Sequence, residues 1–476
     1  MMIRHLGTVR RAVRGGAALG LALVAGAALA QANRGPENIL PTPAPSPTAA
    51  PLPAPAQTPA QAPAPTATAT PVIQAVPVVQ PTPADLEPVM TWSLANAQAL
   101  LAVIEKIDAE GLIPADYQPA DLRAAIAAGP GAALDAQASR SFAWLIEDVR
   151  DGRTRMSSRV QWFVVDPDVD VNPTPAVMAR ALASGDIAGE IAALLPTHPD
   201  YARLKAELAR TPASDRVTRR LIQVNLDRWR WLQRDLGKFY LLTNVPEFQL
   251  RLTVDNEIIR SYRTIVGKPG RTATPQLAEV VEGVIFNPTW TVPQSIVKGE
   301  GLGAQLLANP ARAKRENYKV TKAKDGMVYV VQQPGPNNAL GLMKLDMPNE
   351  HAIFLHDTPN RNLFNLAQRA LSHGCIRTER ATELAITMAI LGAGMKPDEA
   401  VAIVTSGKYT RVGMNRTFPV YLTYFTMASD ITGKLGRFND LYGRDAPVLA
   451  SLAAPRQAWD GQRESTEKII KLDNPL

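Results

Sequence analysis

Phe248-Gln249-Leu250-Arg251-Leu252-Thr253-Val254, followed by Ile258-Ile259-Arg260-Ser261-Tyr262-Arg263-Thr264-Ile265-Val266, reads as two β-strands folded about an Asp255-Asn256 turn. Comparable runs recur outward from this hairpin, at residues 239–242, 283–286, 327–332, 352–356 and 420–426. Short strands separated by Gly and Pro turns predict a mainly antiparallel β-domain. The clearest helix within it is expected from Thr378, as N-cap, to Leu391, with Gly392 near its end, and Pro397-Asp398-Glu399 opens another.

Residues 93–210 have a different period. Leu101, Ile104, Ile107 and Leu112 recur at near-helical spacing, as do Phe142, Leu145, Ile146 and Val149. Ile187, Ile191, Leu194 and Leu195 form a third stripe that Pro196 ends, and Tyr201, Leu204 and Leu208 a fourth. Leu221, Val224, Leu226 and Trp229 then sit amid arginines in a bridging helix. The fold class expected is α+β, a helical module followed by an antiparallel β-domain. The only histidine of the helical half, His198, lies in a Thr-His-Pro-Asp turn with no evident site.

The N-terminus reads as an export segment. Arg4, Arg10, Arg11 and Arg14 precede an apolar run over residues 17–30 that ends in Ala28-Leu29-Ala30. The run is shorter than the ~20 residues that cross a bilayer. A cleavable signal over 1–30 and a periplasmic location are therefore expected, with an uncleaved inner-membrane anchor as the alternative. Removing the four signal arginines takes the formal charge from +7 to +3, and no basic run carries interleaved aromatics, so nucleic acid is not an expected partner. Residues 31–90 hold 16 of the chain's 40 prolines and few large apolar side chains, the composition of an extended linker.

Cys375 is the chain's one cysteine, in Ser372-His373-Gly374-Cys375-Ile376-Arg377. A lone thiol in an exported chain is open to oxidation and mispairing, so its retention points to use of its reactivity. Placed just before a helix starting at Thr378, it would feel the positive helix terminus and Arg377, both favouring thiolate. His356, 19 residues upstream at a strand exit, is the candidate base. The amides of Gly374 and Cys375 are candidate oxyanion donors. In a strand over 352–356, Ala352, Phe354 and His356 share one face and His351, read as an ordinary surface or strand-end histidine, points away. A zinc site from His356, His373 and Cys375 lacks paired spacings and a fourth ligand, so no metal is expected. No P-loop or Rossmann fingerprint occurs, and no cofactor is expected.

Leu355-His356-Asp357-Thr358-Pro359 and the Ser372–Arg377 motif resemble the active-site signature of YkuD-type L,D-transpeptidases, most nearly the large Gram-negative, YcbB-like subtype. The resemblance extends through Asn287-Pro288-Thr289-Trp290-Thr291-Val292-Pro293, Pro334-Gly335-Pro336-Asn337-Asn338-Ala339-Leu340-Gly341, Asp346-Met347-Pro348-Asn349, Phe418-Pro419-Val420-Tyr421 and Asp440-Leu441-Tyr442-Gly443. It implies a scaffold domain over 91–220, a catalytic domain over 221–455 with a cap insertion at about 295–332, and a tail from 456 to 476. It also implies Cys375 as nucleophile, His356 as general base with its ring oriented by a backbone carbonyl, His373 and Gly374 shaping the loop or oxyanion site, and Arg377 meeting substrate. The implied reaction is acyl transfer from a peptidoglycan tetrapeptide stem, with loss of D-Ala and formation of a 3→3 cross-link; carbapenem sensitivity is a family expectation. Other acceptors, a cell-wall or outer-membrane protein, a D-amino acid or water, share the same acyl-enzyme. The subtype commonly carries a peptidoglycan-binding domain between its two modules, and Thr211–Arg219 is too short for one.

Overall fold

The computed structural model describes residues 88–469. The expected signal and nearly all of the expected linker lie outside the described residues. Among the described residues no helix is long and apolar enough to cross a membrane.

The N-terminal half forms helices at Leu94–Ile104, Pro119–Ala128, Ala132–Asp151, Thr174–Ser184, Ile187–Ala192 and Pro199–Arg210; of the expected stripes, Ile107 falls in a short 3-10 turn and Leu112, Leu194 and Leu195 lie beyond the helix ends. Leu100, Ile104, Phe142, Leu145, Ile146 and Val149 meet in one core with Trp92 and Tyr117. The bridging helix spans Arg216–Trp229, so a division at residue 220 falls within it. Its buried side chains Ile222, Val224, Leu226 and Trp229 pack with Tyr240, Leu242, Tyr421 and Phe425, joining the helical half to the sheet.

The sheet strands are β1 (Phe239–Asn244), β2 (Gln249–Val254), β3 (Glu257–Gly267), β4 (Leu277–Val280) and β5 (Gly283–Phe286). A separate three-stranded sheet holds β6 (Trp290–Thr291), β7 (Tyr318–Lys322) and β8 (Val328–Gln332). The main sheet resumes with β9 (Met343–Asp346), β10 (Leu355–His356), β11 (Ala370–Ser372), β12 (Ile376–Thr378), β13 (Thr410–Gly413) and β14 (Pro419–Thr423). Its order is β13-β5-β9-β10-β12-β3-β2-β1-β14-β4, with β11 added beside β3. Most pairs are antiparallel; β1–β14, β10–β12 and β11–β3 are parallel. The α+β class expected from the sequence is the class observed. The segment between β5 and β9 folds around its own small core of Val292, Val297, Leu306, Ala313 and Val330.

One face of the sheet presents Leu241, Leu250, Leu252, Met343, Leu345, Leu355 and Ile376 to the helix Ala381–Ala393. The opposite face is covered at its β1–β14 end by the bridging helix. At its β9–β10–β12 end that face carries polar side chains instead.

Two local expectations are overturned. Residues 352–356 are not one strand: only Leu355–His356 pairs, and Ala352 has φ +51°. Asn349 is the cause, since its amide donates to the carbonyls of Met347 and Ile353 at 2.8 Å and its side-chain oxygen accepts from the Ile353 amide at 3.1 Å. Such local bonds compete with a ladder. Thr378 is not a helix N-cap either. It ends β12, paired with Thr264, and the helix starts at Ala381 behind Arg380 at φ +50°.

The stretch following the last helix, Asp445–Ala453, crosses back over the helical half. Arg456 meets Glu147 at 2.6 Å and Asp148 at 3.0 Å, the Gln457 carbonyl accepts from Arg155, and Arg463 pairs with Asp170.

Candidate active site

The site is built from three neighbouring strands. In register, Lys344 of β9 stands opposite His356 of β10, and His356 beside Arg377 of β12. Paired residues point to one side of a sheet and neighbours in sequence alternate. Met343, Leu345, Leu355 and Ile376 face the core, so Lys344, His356 and Arg377 share the other face, and Cys375, two residues before Arg377, joins them.

His356 is 6% exposed, and its Nδ1 lies 2.5 Å from the Asp357 carbonyl oxygen. A carbonyl can only accept, so Nδ1 carries the proton and Nε2 keeps a lone pair. Burial, reinforced by the charges of Arg377 and Lys344, pushes the imidazole pKa down to about 3 against the pull of the Asp357 bond. The ring is a neutral base. The sequence expectation of an orienting carbonyl is met by this particular contact.

Cys375 is half-buried, with its Sγ 3.6 Å from the carbonyl oxygen of Ala352, the residue with left-handed backbone. Burial raises its pKa, while the Phe354 amide, Lys344 and Arg377 pull it back down. The helix starts at Ala381 and not at Thr378, and strand β12 stands between it and Cys375, so the thiol does not lie just before a helix terminus. Its expected position before a helix is corrected, while Arg377 acts as expected and Lys344 of β9 adds to it.

Gly374 shapes the loop. Its φ is +120°, and a Cβ there would lie 2.9 Å from Ile353 Cδ1. Its amide donates to Ser372 Oγ at 3.2 Å and its carbonyl accepts from Thr274 Oγ1 at 2.8 Å. The Gly374 amide is therefore engaged, and of the two amides named from the sequence the Cys375 amide remains the candidate oxyanion donor. Ser372 Oγ in turn donates to the Cys375 carbonyl at 2.6 Å. Tyr442 braces the same loop from behind, its hydroxyl donating to Gly267 at 2.7 Å and accepting from the Thr274 amide at 3.2 Å.

His373 does not join the row. It is exposed, and its Nε2 lies 3.4 Å from Glu300 Oε1 in the segment between β5 and β9. His351 is buried against Phe163 at 4.2 Å, so it is a packing residue and not a surface one. Among the described residues no cluster of three or more His, Cys, Asp or Glu could hold a metal ion. Lys344 escaped sequence reasoning. Its signal was a lysine between Met343 and Leu345, whose alternation places it on the non-core face.

Residues 238–403 match the YkuD family, the L,D-transpeptidase catalytic domain, and residues 87–208 match the Scaffold domain family. A Haemophilus influenzae protein provisionally named an L,D-transpeptidase is 31% identical over 223 residues, which are 44% of this chain and 45% of that one. The chain thus spans less than half the length of that relative. Among solved structures, L,D-transpeptidase 1 of Mycobacterium tuberculosis is 12% identical with a TM-score of 0.18, covering 39% of this chain and 61% of that one. The L,D-transpeptidase of Mycobacterium smegmatis is also 12% identical, with a TM-score of 0.19, covering 39% and 58%. The chain thus carries a Scaffold domain ahead of a YkuD L,D-transpeptidase catalytic domain, the YcbB-like architecture.

Proposed function

We propose that this chain is a peptidoglycan L,D-transpeptidase that forms 3→3 cross-links through a Cys375 acyl-enzyme. The observation that carries this reading is the pairing of a neutral His356, its Nε2 lone pair kept by the Asp357 carbonyl, with Cys375 on one face of the sheet. The Cys375 proton passes to His356 Nε2 as Sγ attacks the carbonyl carbon of the third stem residue. The developing oxyanion takes a hydrogen bond from the Cys375 amide. Collapse of the tetrahedral adduct breaks the C–N bond, and His356 returns its proton to the nitrogen of the departing D-Ala. An acceptor amine then attacks the thioester, His356 takes its surplus proton, and Sγ leaves to be reprotonated.

Arg377 meets a substrate carboxylate, which suits a stem peptide, and His373 with Gly374 sets the loop's shape. The periplasm is the compartment we assign, on the signal-like pattern of residues 1–30. Stem peptides are the donor and the acceptor partners, with a cell-wall or outer-membrane protein as a further acceptor class.

Mass spectrometry of the mature protein incubated with tetrapeptide muropeptide, beside Cys375→Ala, tests the reading. Dimers joined through tripeptide stems and present only with Cys375 are expected. Tripeptide monomer alone assigns a hydrolase, and retention of D-Ala with no adduct on Cys375 overturns the proposal.

A further inference from the structure

Lys344 is 6% exposed, yet among the described residues its ammonium forms no ion pair. Its Nζ lies 3.6 Å from the centroid of the Phe354 ring, a cation–π contact made by a desolvated charge. Phe354 is the residue whose amide pulls the Cys375 thiol pKa down and whose carbonyl accepts from the Ile376 amide at 2.9 Å. The lysine, the base and the thiol loop are therefore tied together through one short segment of chain, 354–356. An unpaired buried ammonium is costly unless a negative charge forms nearby.

The surrounding groups leave few candidates for that charge. On its own strand Asp346 is taken by Arg411 of β13, at 2.5 Å. Across β5 the register partner is the apolar Ile285. From β10 comes the neutral His356, and from β12 the cation Arg377. The helix side of the strand is apolar, with Leu384, Ala385 and Met388. Cys375 is the one group in this set that becomes an anion during the reaction proposed above.

We infer that Lys344 is a positioning residue for the nucleophile: its ammonium, held against Phe354 and opposite His356, is the counter-charge of the Cys375 thiolate. The inference rests on the proposed acyl-transfer function, but thiolate formation can be read without turnover. Burial lowers the lysine to about 8, with Asp346 and Cys375 opposing that fall, so the charge remains mostly in place at neutral pH.

The test is the pH profile of Cys375 alkylation by iodoacetamide in the full chain, for wild type, Lys344→Met and Lys344→Arg, with thermal melts beside each. Lys344→Met keeps the packing on Phe354 and removes the charge. The expected result is an apparent thiol pKa raised by about one unit and alkylation slowed about tenfold at pH 7, with Lys344→Arg close to wild type. Coincident profiles for a folded Lys344→Met overturn the inference, while leaving the muropeptide assay to judge the function separately. Should Lys344→Met not fold, NMR titration of 13C-methylated Lys344 in wild type and Cys375→Ala replaces it. Coupling is reciprocal, so the ammonium is expected to lose its proton at lower pH without the thiolate. Identical titrations would falsify it.

Discussion

The carbonyl oxygen of Asp357 lies 2.5 Å from Nδ1 of His356, the residue immediately before it. That carbonyl is itself held, because Asp357 Oδ2 accepts from the Leu342 amide at 2.9 Å and from Arg361 at 3.2 Å. One carboxylate therefore fixes the main chain that fixes the tautomer of the base. Gly341 leaves room for it: a Cβ there would stand 2.4 Å from the Asp357 carboxylate.

Replacing His356 by Gln retains polarity and volume but removes the base. Acylation of Cys375 by tetrapeptide, followed by quenched-flow mass spectrometry, is expected to slow about 10²- to 10⁴-fold. A folded variant acylated at the wild-type rate would assign the proton transfer to another group.

Thr274 is fully buried, and its hydroxyl donates to the Gly374 carbonyl while accepting from the Gly267 amide at 2.9 Å. Thr274→Val removes both bonds at nearly constant volume. Each stranded backbone group costs about 1–3 kcal/mol. Urea denaturation is expected to show a loss in that range, with kcat lowered more than KM is raised because the loop carrying Cys375 loosens.

Acid should destabilise the fold through its buried histidines. Burial holds His198, stacked on Trp229, at about 4 and His356 at about 3, against an ordinary value of 6.5. Between those values the unfolded chain binds more protons than the native one, so their contribution, intact above pH 6.5, is lost as pH falls. His198→Asn keeps an N-cap side chain on the helix Pro199–Arg210. Its Tm is expected to fall less steeply between pH 6.5 and 4 than that of wild type; equal slopes would remove His198 from the account.

Arg456 lies almost wholly buried between Glu147 and Asp148, and over the Trp144 ring at 4.8 Å. Arg456→Ala leaves buried carboxylates short of a partner, a loss of about 3 kcal/mol. Chemical denaturation of the helical half should register it, and deleting the chain from 456 onward should do the same. An unchanged midpoint would mean that the returning segment contributes no stability.

Much of this was legible in local pattern. Ile104, Ile107, Phe142 and Val149 are buried as the stripes require, although Leu101 is only partly buried and its neighbour Leu100 takes the core position, and the hairpin about Asp255-Asn256 forms β2 and β3 as read. What failed had two causes, one local and one distant. Asn349 diverts the chain with its own side-chain bonds, and Thr378 is drawn into a ladder with Thr264, a residue more than a hundred positions away. Side-chain competition and distant pairing leave no periodic trace in a short window.

Which groups are present for the chemistry, a single thiol and a histidine within twenty residues of it, is written in the chain, as are the helix and strand periods that build two modules. Tertiary structure alone decided the electrical setting of that thiol. Register between β9, β10 and β12 places Lys344 and Arg377 on either side of His356, and puts strand where a helix terminus was expected. Cross-strand register is set by which faces bury together over the whole sheet, a property that spacing along one segment does not carry.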